Sequence, residues 1–301
     1  MKGKVAALAG MISALLLALG LVIVAGWTSD GLTLHYLDVG KCNCVLAESP
    51  DGSFMMIDAG SNGEKDTRRI LEYLKAQGVE TLEYLLITHP HKDHIRAAEA
   101  VLRACPAKTV LMGDFGKDTV GSDVFESLLS FLQKSGQRIS TPEPGDVYSL
   151  GEKAFFTILI QDDSVRTAEE ELNDCSTGLI LEDGMHRFLF YGDGEEKAEE
   201  ALQDSGYDLR CDVLMVAHHG NKGSTKKKLL EAVRPRIAVI SCGVDDEGQL
   251  REPSEKVLER LEEAGASVYR TDRDHTVIVS SGRDGLTVQT EAGARENSKA
   301  D

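Results

Sequence analysis

From residue 32 onward, short apolar runs alternate with amphipathic stretches. Apolar or alternating runs predict strands over 32–37, 44–47, 54–57, 82–87, 109–112, 155–160, 177–181, 187–191, 212–217, 237–241 and 267–270. A last hairpin is predicted over 276–279 and 286–289. Helical spacing predicts helices over 66–76, 95–105, 124–134, 195–204, 226–233 and 254–264. Gly78 and Gly136 close the first and third of these, and Ser224 or Thr225 is the expected cap of the fifth. Pro50-Asp51-Gly52 and Glu182-Asp183-Gly184 read as tight turns between strands. Strands alternating with helices place residues 32–290 in the α/β class (α+β by some schemes).

The first 31 residues follow a different pattern. Lys2 and Lys4 precede an apolar stretch over 5–27, near the ~20 residues that span a bilayer. Basic residues before it and Asp30 after it orient the following domain outward. This amino-terminal segment reads as a single-pass membrane anchor. A signal helix cleaved after Val24-Ala25-Gly26 is the alternative, giving a secreted domain. Residues 291–301 are polar and read as a disordered tail, and 162–174 as an acidic, solvated loop.

A formal net charge of −17 argues against a broad nucleic-acid-binding surface, since phosphate binding needs clustered Lys and Arg. It leaves room for a phosphate substrate in a cleft whose positive charge comes from metal ions. The six cysteines show no zinc-type spacing and are too few for a disulfide scaffold. Most read as small buried hydrophobes, with one or two disulfides open to an extracytoplasmic domain.

The candidate chemistry sits where strands end. The run over 82–87 leads into Thr88-His89-Pro90-His91-Lys92-Asp93-His94, with three imidazoles and a carboxylate in one strand-to-helix turn. Asp58, Asp193 and the pair His218-His219 end three other strands. Groups at strand ends converge at one edge of a sheet. Mixed nitrogen and carboxylate donors suit Zn²⁺ or Mn²⁺ better than Mg²⁺ or Ca²⁺. His89 and His91, two residues apart, face the same way in extended geometry. Asp93 and Asp193 are the candidate catalytic carboxylates, and Asp193 is placed to bridge two ions. A water on such an ion has its pKa lowered towards ~7, which suits hydrolysis without a redox cofactor. Lys222 and Lys226–Lys228 follow the histidine pair. They read as a solvated face, or, with Ser224 and a helix amino terminus, as a phosphate contact.

These motifs resemble the metallo-β-lactamase superfamily. Residues 88–94 match its HxHxDH signature, Asp58-Ala59-Gly60 its first motif, Gly192-Asp193 its bridging aspartate, and His218-His219-Gly220 its last histidine motif. Leu37-Asp38-Val39-Gly40, Asn173-Asp174-Cys175-Ser176 and Tyr269-Arg270-Thr271-Asp272 make the sequence most similar to the hydrolase domain of the competence protein ComEC and its stand-alone relatives. The resemblance implies an αββα sandwich with one or two metal ions at a sheet edge. It implies that His89 and His91 hold one ion and Asp93 and His94 the other. Asp193 would bridge them, and His219, or else His218, would complete the second site. Asp58 would orient a ligand histidine.

Three departures stand out. The usual third-motif histidine is absent, with Asn173 and Asp174 in its place, and His186 at a hairpin turn reads as surface. LDVGQGD becomes Leu37-Asp38-Val39-Gly40-Lys41-Cys42-Asn43. Glu252 stands where many relatives carry the histidine of Gly-His-Pro. Asn173, Asp174, Ser224, Lys222 and Glu252 therefore join Asp58 as residues expected to orient ligands or face the substrate. The implied activity is hydroxide attack on a phosphodiester, nuclease-like and directed at DNA during uptake. An ester or lactone metallo-hydrolase acting on a small molecule is the alternative, and a non-catalytic metal- or ligand-binding relative is a third.

Overall fold

The alternation of side chains within the strands decides the layering. In β2 (Cys44–Glu48), Val45 and Ala47 face one apolar cluster while Cys44 and Leu46 face another. In β3 (Phe54–Ala59), Met55 and Ile57 face the first and Met56 the second. In β4 (Leu82–Ile87), Leu86 opposes Leu85 and Ile87 in the same way. Both faces of these strands are buried, which is why they read as continuous apolar runs. A computed structural model describes residues 30–115, 122–161 and 169–293. The predicted amino-terminal anchor or signal segment and the end of the polar tail lie outside these residues. Among the described residues, no helix is long and apolar enough to cross a membrane.

Two sheets result. In the first, β1 (Thr33–Tyr36) lies between β2 and the closing hairpin β14 (Val277–Gly282) and β15 (Gly285–Thr290). β2 leads on through β3 and β4 to β5 (Ala107–Met112) and β6 (Ile139–Ser140). The second sheet contains β7 (Val147–Leu150), β8 (Ala154–Ile160), β9 (Gly178–Glu182), β10 (Arg187–Phe190), β11 (Val213–Met215), β12 (Ile237–Ile240) and β13 (Ser267–Arg270), paired in that order. Leu34, Tyr36, Ile57 and Leu86 from the first sheet meet Phe156, Leu181, Phe188 and Phe190 from the second in one buried layer. Full burial of each such side chain stabilises the fold by roughly 1.5–3 kcal/mol.

Helices cover the outer faces. Ile70 and Leu74 of α1 (Glu64–Ala76), Val101 of α3 (Ala98–Ala104) and Phe125 and Leu132 of α4 (Asp123–Ser135) pack on the first sheet. The short α2 (Lys92–Ile95) precedes α3. Leu202 of α5 (Glu196–Asp204), Leu229 and Val233 of α6 (Lys227–Val233) and Leu261 of α7 (Glu255–Glu263) pack on the second. A one-turn helix, α8 (Thr271–Asp274), links β13 to β14. The architecture is the expected αββα sandwich.

Several elements differ from the sequence pattern. The single helix expected over 95–105 is broken between α2 and α3, because the Ala97 N–H leaves the helical ladder to bond the Ala59 carbonyl at 2.8 Å. The edge strand β7 was hidden by its exposed Val147 and polar alternation. In the segment expected to be a solvated loop, Glu169–Cys175 forms a 3-10 turn that buries Leu172, Asn173 and Cys175. His186 is buried rather than surface, with Nδ1 2.8 Å from Ser281 Oγ. All six cysteines are buried, and none is in a disulfide.

The expected cap of α6 is also corrected. The Ser224 hydroxyl donates back to the Ala217 and Asn221 carbonyls, and Thr225 sits at φ 52°. The amino terminus is instead closed from another element, with Lys226 N–H donating to the buried Glu199 carboxyl of α5 at 3.0 Å. Burial pushes the Glu199 carboxyl up to about 7, against the opposing bonds from Lys226 and Thr225 N–H. Between its ordinary 4.5 and that value the native state holds a proton that the unfolded chain has lost. Stability therefore falls as pH rises through this window and is flat above it. Glu199→Gln, which cannot ionise, should gain on wild type by about 1.4 kcal/mol per pH unit across the window. Denaturant unfolding of both proteins between about pH 5 and pH 8 checks this, and a gap that does not change with pH would refute it.

Candidate metal centre

The site is assembled at the carboxyl ends of β3, β4, β10 and β11. Asp58 is the keystone of the first two. It adopts φ 58°, an uncommon conformation for a residue with a side chain, and it interrupts the pleat at the end of β3. One carboxylate oxygen accepts the Thr88 N–H at 2.8 Å, and the other accepts the Thr88 hydroxyl at 2.8 Å and lies 2.7 Å from His94 Nδ1. The histidine turn is thereby tied to the neighbouring strand. Its backbone is seated tightly as well. Asn43 N–H donates to the Asp93 carbonyl at 3.0 Å, and any side chain at Gly60 would collide with that carbonyl.

Asp193 follows Gly192 at the end of β10, where φ is 54° and an added Cβ would press on Ser176 Oγ and Thr88 Oγ1. Its N–H donates to Ser176 Oγ at 3.1 Å. His218 and His219, after β11, both take the left-handed conformation, at φ 50° and 55°. His219 Nδ1 donates to the Ser241 carbonyl at 2.8 Å, so Nε2 is the nitrogen left for the site.

Asp93, His94, Asp193 and His219 come together, with donor atoms all within 4.8 Å of one another. His94 Nε2 lies 3.1 Å from Asp193 Oδ1, and His219 Nε2 lies 3.4 Å from Asp93 Oδ2 and 3.6 Å from Asp193 Oδ2. His94 Nε2, His219 Nε2 and Asp193 Oδ1 are buried and make no aligned hydrogen bond. Buried polar atoms left in that state cost free energy, so the arrangement suits a divalent ion that would satisfy them together. These four side chains could hold one. The charges are already mutually adjusted. Burial disfavours every charged form here. Against it, Asp193 and Asp58 raise His94, Asp193 and the Asp93 contact raise His219, and the imidazoles hold Asp193 and Asp93 below the usual carboxylate range.

His89 and His91 form a second, adjoining pair, with Nε2 of the first 3.0 Å from Nδ1 of the second. The His89 ring centroid lies 4.0 Å from that of His94. Burial, with the neighbouring His94 and His91, pushes His89 well below its ordinary pKa and keeps it neutral, the form that binds metal. His218 stands at the rim. Its Nδ1 is 2.8 Å from Glu195 Oε1 and its Nε2 3.8 Å from Asp193 Oδ2.

The remaining expected residues divide. The Asp174 carboxylate accepts from Glu195 and Ala198 N–H and so caps the start of α5. Asn173 is buried beside it in the same turn. Ser224 is fully buried on backbone carbonyls, and the exposed Lys222 lends its own carbonyl to Arg260. Glu252 does approach the site region, 3.4 Å from Lys41 Nζ and 3.2 Å from Asn221 Nδ2. Thr88, Ser176 and Glu195 were missed as supports. Thr88 carried a signal in opening the histidine turn, and Ser176 in closing the Asn173-Asp174-Cys175-Ser176 segment, while Glu195 touches its partner only through the fold.

This fold and cluster define a metallo-hydrolase, and the chain belongs to the metallo-beta-lactamase superfamily, whose family model matches residues 37–244. Within it the chain is ComEC-like. It is 29% identical over 208 residues to ComE operon protein 3 of Bacillus subtilis (strain 168), covering 69% of this chain and 26% of that protein. It is 34% identical over 256 residues to competence protein ComA of Neisseria gonorrhoeae, covering 84% of this chain and 33% of that one. It thus spans a third or less of the length of either relative. Among solved structures, Igni18, a metallo hydrolase from Ignicoccus hospitalis KIN4/I, superposes with a TM-score of 0.53 at 16% identity, covering 82% of this chain and 98% of that one, and so shares the fold.

Asp58→Ala would leave the Thr88 N–H and His94 Nδ1 buried without their acceptor. We expect a loss of about 3–5 kcal/mol of folding stability, the usual result of removing one partner of a buried charged pair. Denaturant unfolding measures it, and a loss below about 1 kcal/mol would show that Asp58 does not hold the two strand ends together.

Proposed function

We propose that this metal-dependent hydrolase acts on phosphodiester bonds, with DNA as the polymer. The observation that carries this over an ester or lactone substrate is the cleft beside Asp93. Its lining sets Lys41, Lys92, Arg96 and Arg251 against Asp93, Asp245, Asp246 and Glu247, four cations in one place in a protein of net charge −17. Cations gathered against that overall balance favour an anionic substrate. Similarity to a protein named for competence supports the same reading. The apolar stretch over 5–27, preceded by two lysines, favours action on the outer side of the membrane, either anchored or after cleavage.

Asp93, His94, Asp193 and His219 would hold one Zn²⁺ or Mn²⁺, since two imidazoles and two carboxylates suit either ion. His89 and His91 would hold a second, with Asp193 shared between them. A divalent ion at such a site supplies Lewis acidity and lowers the pKa of a bound water. The chain's own residues fix the geometry. Asp58 and the Ser241 carbonyl lock the tautomers of His94 and His219 by holding their Nδ1 protons. Glu195 orients His218 so that Nε2 faces the centre, in reach of a leaving-group oxygen.

The test is metal content of the purified protein together with cleavage of single- and double-stranded DNA in Mn²⁺ or Zn²⁺. Asp93→Ala should lose bound metal and reduce cleavage by at least about 100-fold. Small esters, lactones and nitrocefin should remain intact. A wild type that leaves DNA uncut, or a variant that cuts equally well, would defeat the proposal.

A further inference from the structure

The cleft beside Asp93 has a volume of about 310 Å³, and its charges come from two kinds of chain. Lys92 lies in α2, inside the histidine motif, and Arg96 directly after that helix, while Lys41 follows β1. Arg96 is held to the body, its Nη1 donating to the Asn62 carbonyl at 2.6 Å, while the Lys41 N–H and Asn62 Nδ2 both donate to the Val244 carbonyl, where the opposing segment begins. The opposing carboxylates, Asp245, Asp246 and Glu247, are consecutive residues of one segment between β12 and α7.

That segment is largely closed on itself. Asp245 N–H donates to the Gln249 carbonyl, Gly248 N–H to the Asp245 carbonyl, and the Asp245 side chain accepts from Glu247 and Gln249 N–H. Arg251 pairs with Asp245 and Glu247 of the same turn. Asp246 instead reaches across to the body, 2.5 Å from Lys92 Nζ and 3.5 Å from Arg96 Nη2. Val244 and Leu250, flanking the turn, expose 51% and 60% of their surface, so little apolar packing holds the segment down. With the carboxylates in place the cleft is charge-balanced. Without them the wall offers Lys92 and Arg96, and Lys41 in its pair with Glu252, with Asp93 turned towards His219.

We propose that Lys92 and Arg96, with Lys41, form a subsite for a phosphate flanking the scissile phosphodiester, which Asp246 occupies as an internal carboxylate until a polynucleotide displaces it. The subsite rests on the phosphodiester reading and names what that site grips. A carboxylate bridging an ammonium and a guanidinium presents the same acceptor chemistry as a phosphate oxygen. The Lys92–Asp246 pair is partly exposed and therefore weak, so a polyanion with several phosphates can replace it. A small neutral ester has nothing to offer these groups.

The test is anisotropy of a fluorescently labelled single-stranded oligonucleotide titrated with the full chain in EDTA at low salt. Asp246→Asn should tighten binding roughly fivefold, while Glu126→Gln, which removes one exposed carboxylate of α4 that does not line the cleft, should change it little. Lys92→Gln should weaken binding and abolish the gain from Asp246→Asn when the two are combined. An Asp246→Asn variant no tighter than Glu126→Gln, or one equally tightened in the Lys92→Gln background, would overturn the subsite. Binding is read without metal, so it separates from cleavage. Tightening by Asp246→Asn with DNA uncut in Mn²⁺ keeps the polyanion subsite and defeats the phosphodiester reading. DNA cut by wild type with no tightening defeats the subsite alone.

Discussion

The buried Asp58 carboxylate is the interaction on which the rest of the site depends. It takes three donors from the next strand's turn, two from Thr88 and one from His94, in a place closed to water. A lone carboxylate there would be costly, and the three donors are what make its burial tolerable. In return it fixes the path of the backbone through residues 88–94 and selects the nitrogen that His94 presents. His219 is fixed in the same way by a backbone carbonyl, at the end of a strand in the other sheet. Each sheet therefore contributes one imidazole whose free nitrogen is predetermined.

The sandwich supplies the rigidity that this requires. Parallel pairing of β3 with β4 and of β10 with β11 brings the carboxyl ends of four strands to one edge. Backbone conformations that ordinary residues avoid cluster there, at Asp58, His218 and His219. Strain of about 1–3 kcal/mol per residue persists only where the surroundings over-determine the geometry, and the closely packed layers on both faces provide that. The same economy of buried polar groups appears away from the centre, where Glu199 closes the start of α6 at the cost of its own ionisation.

Charge is distributed unevenly. The chain is strongly acidic as a whole, yet Lys92 within its histidine motif and Arg96 just after it stand beside the candidate ligands. In the structure these cations are covered by carboxylates from a turn that is otherwise bonded to itself. An acidic surface keeps non-specific polyanions away, while a small covered cationic spot remains for one that reaches the centre.

Sequence alone determined much of this protein. Continuous apolar strands with helices between them gave the α/β class, because a strand buried on both faces has no polar side to show, while the αββα layering was implied only by the motif resemblance. The four donors of the main cluster were all legible, since histidine and aspartate gathered at strand ends have few other uses. What it left undecided were contacts between residues distant in the chain. Nothing local says that Asp174 caps α5, that Ser224 spends its hydroxyl on carbonyls, or that Glu195 holds His218. Nor does Asp246, read in order, reveal that it lies on Lys92, 154 residues earlier. Local pattern records which groups must be buried and which cannot be. Which buried groups satisfy one another was decided only when two sheets were stacked and their edges aligned.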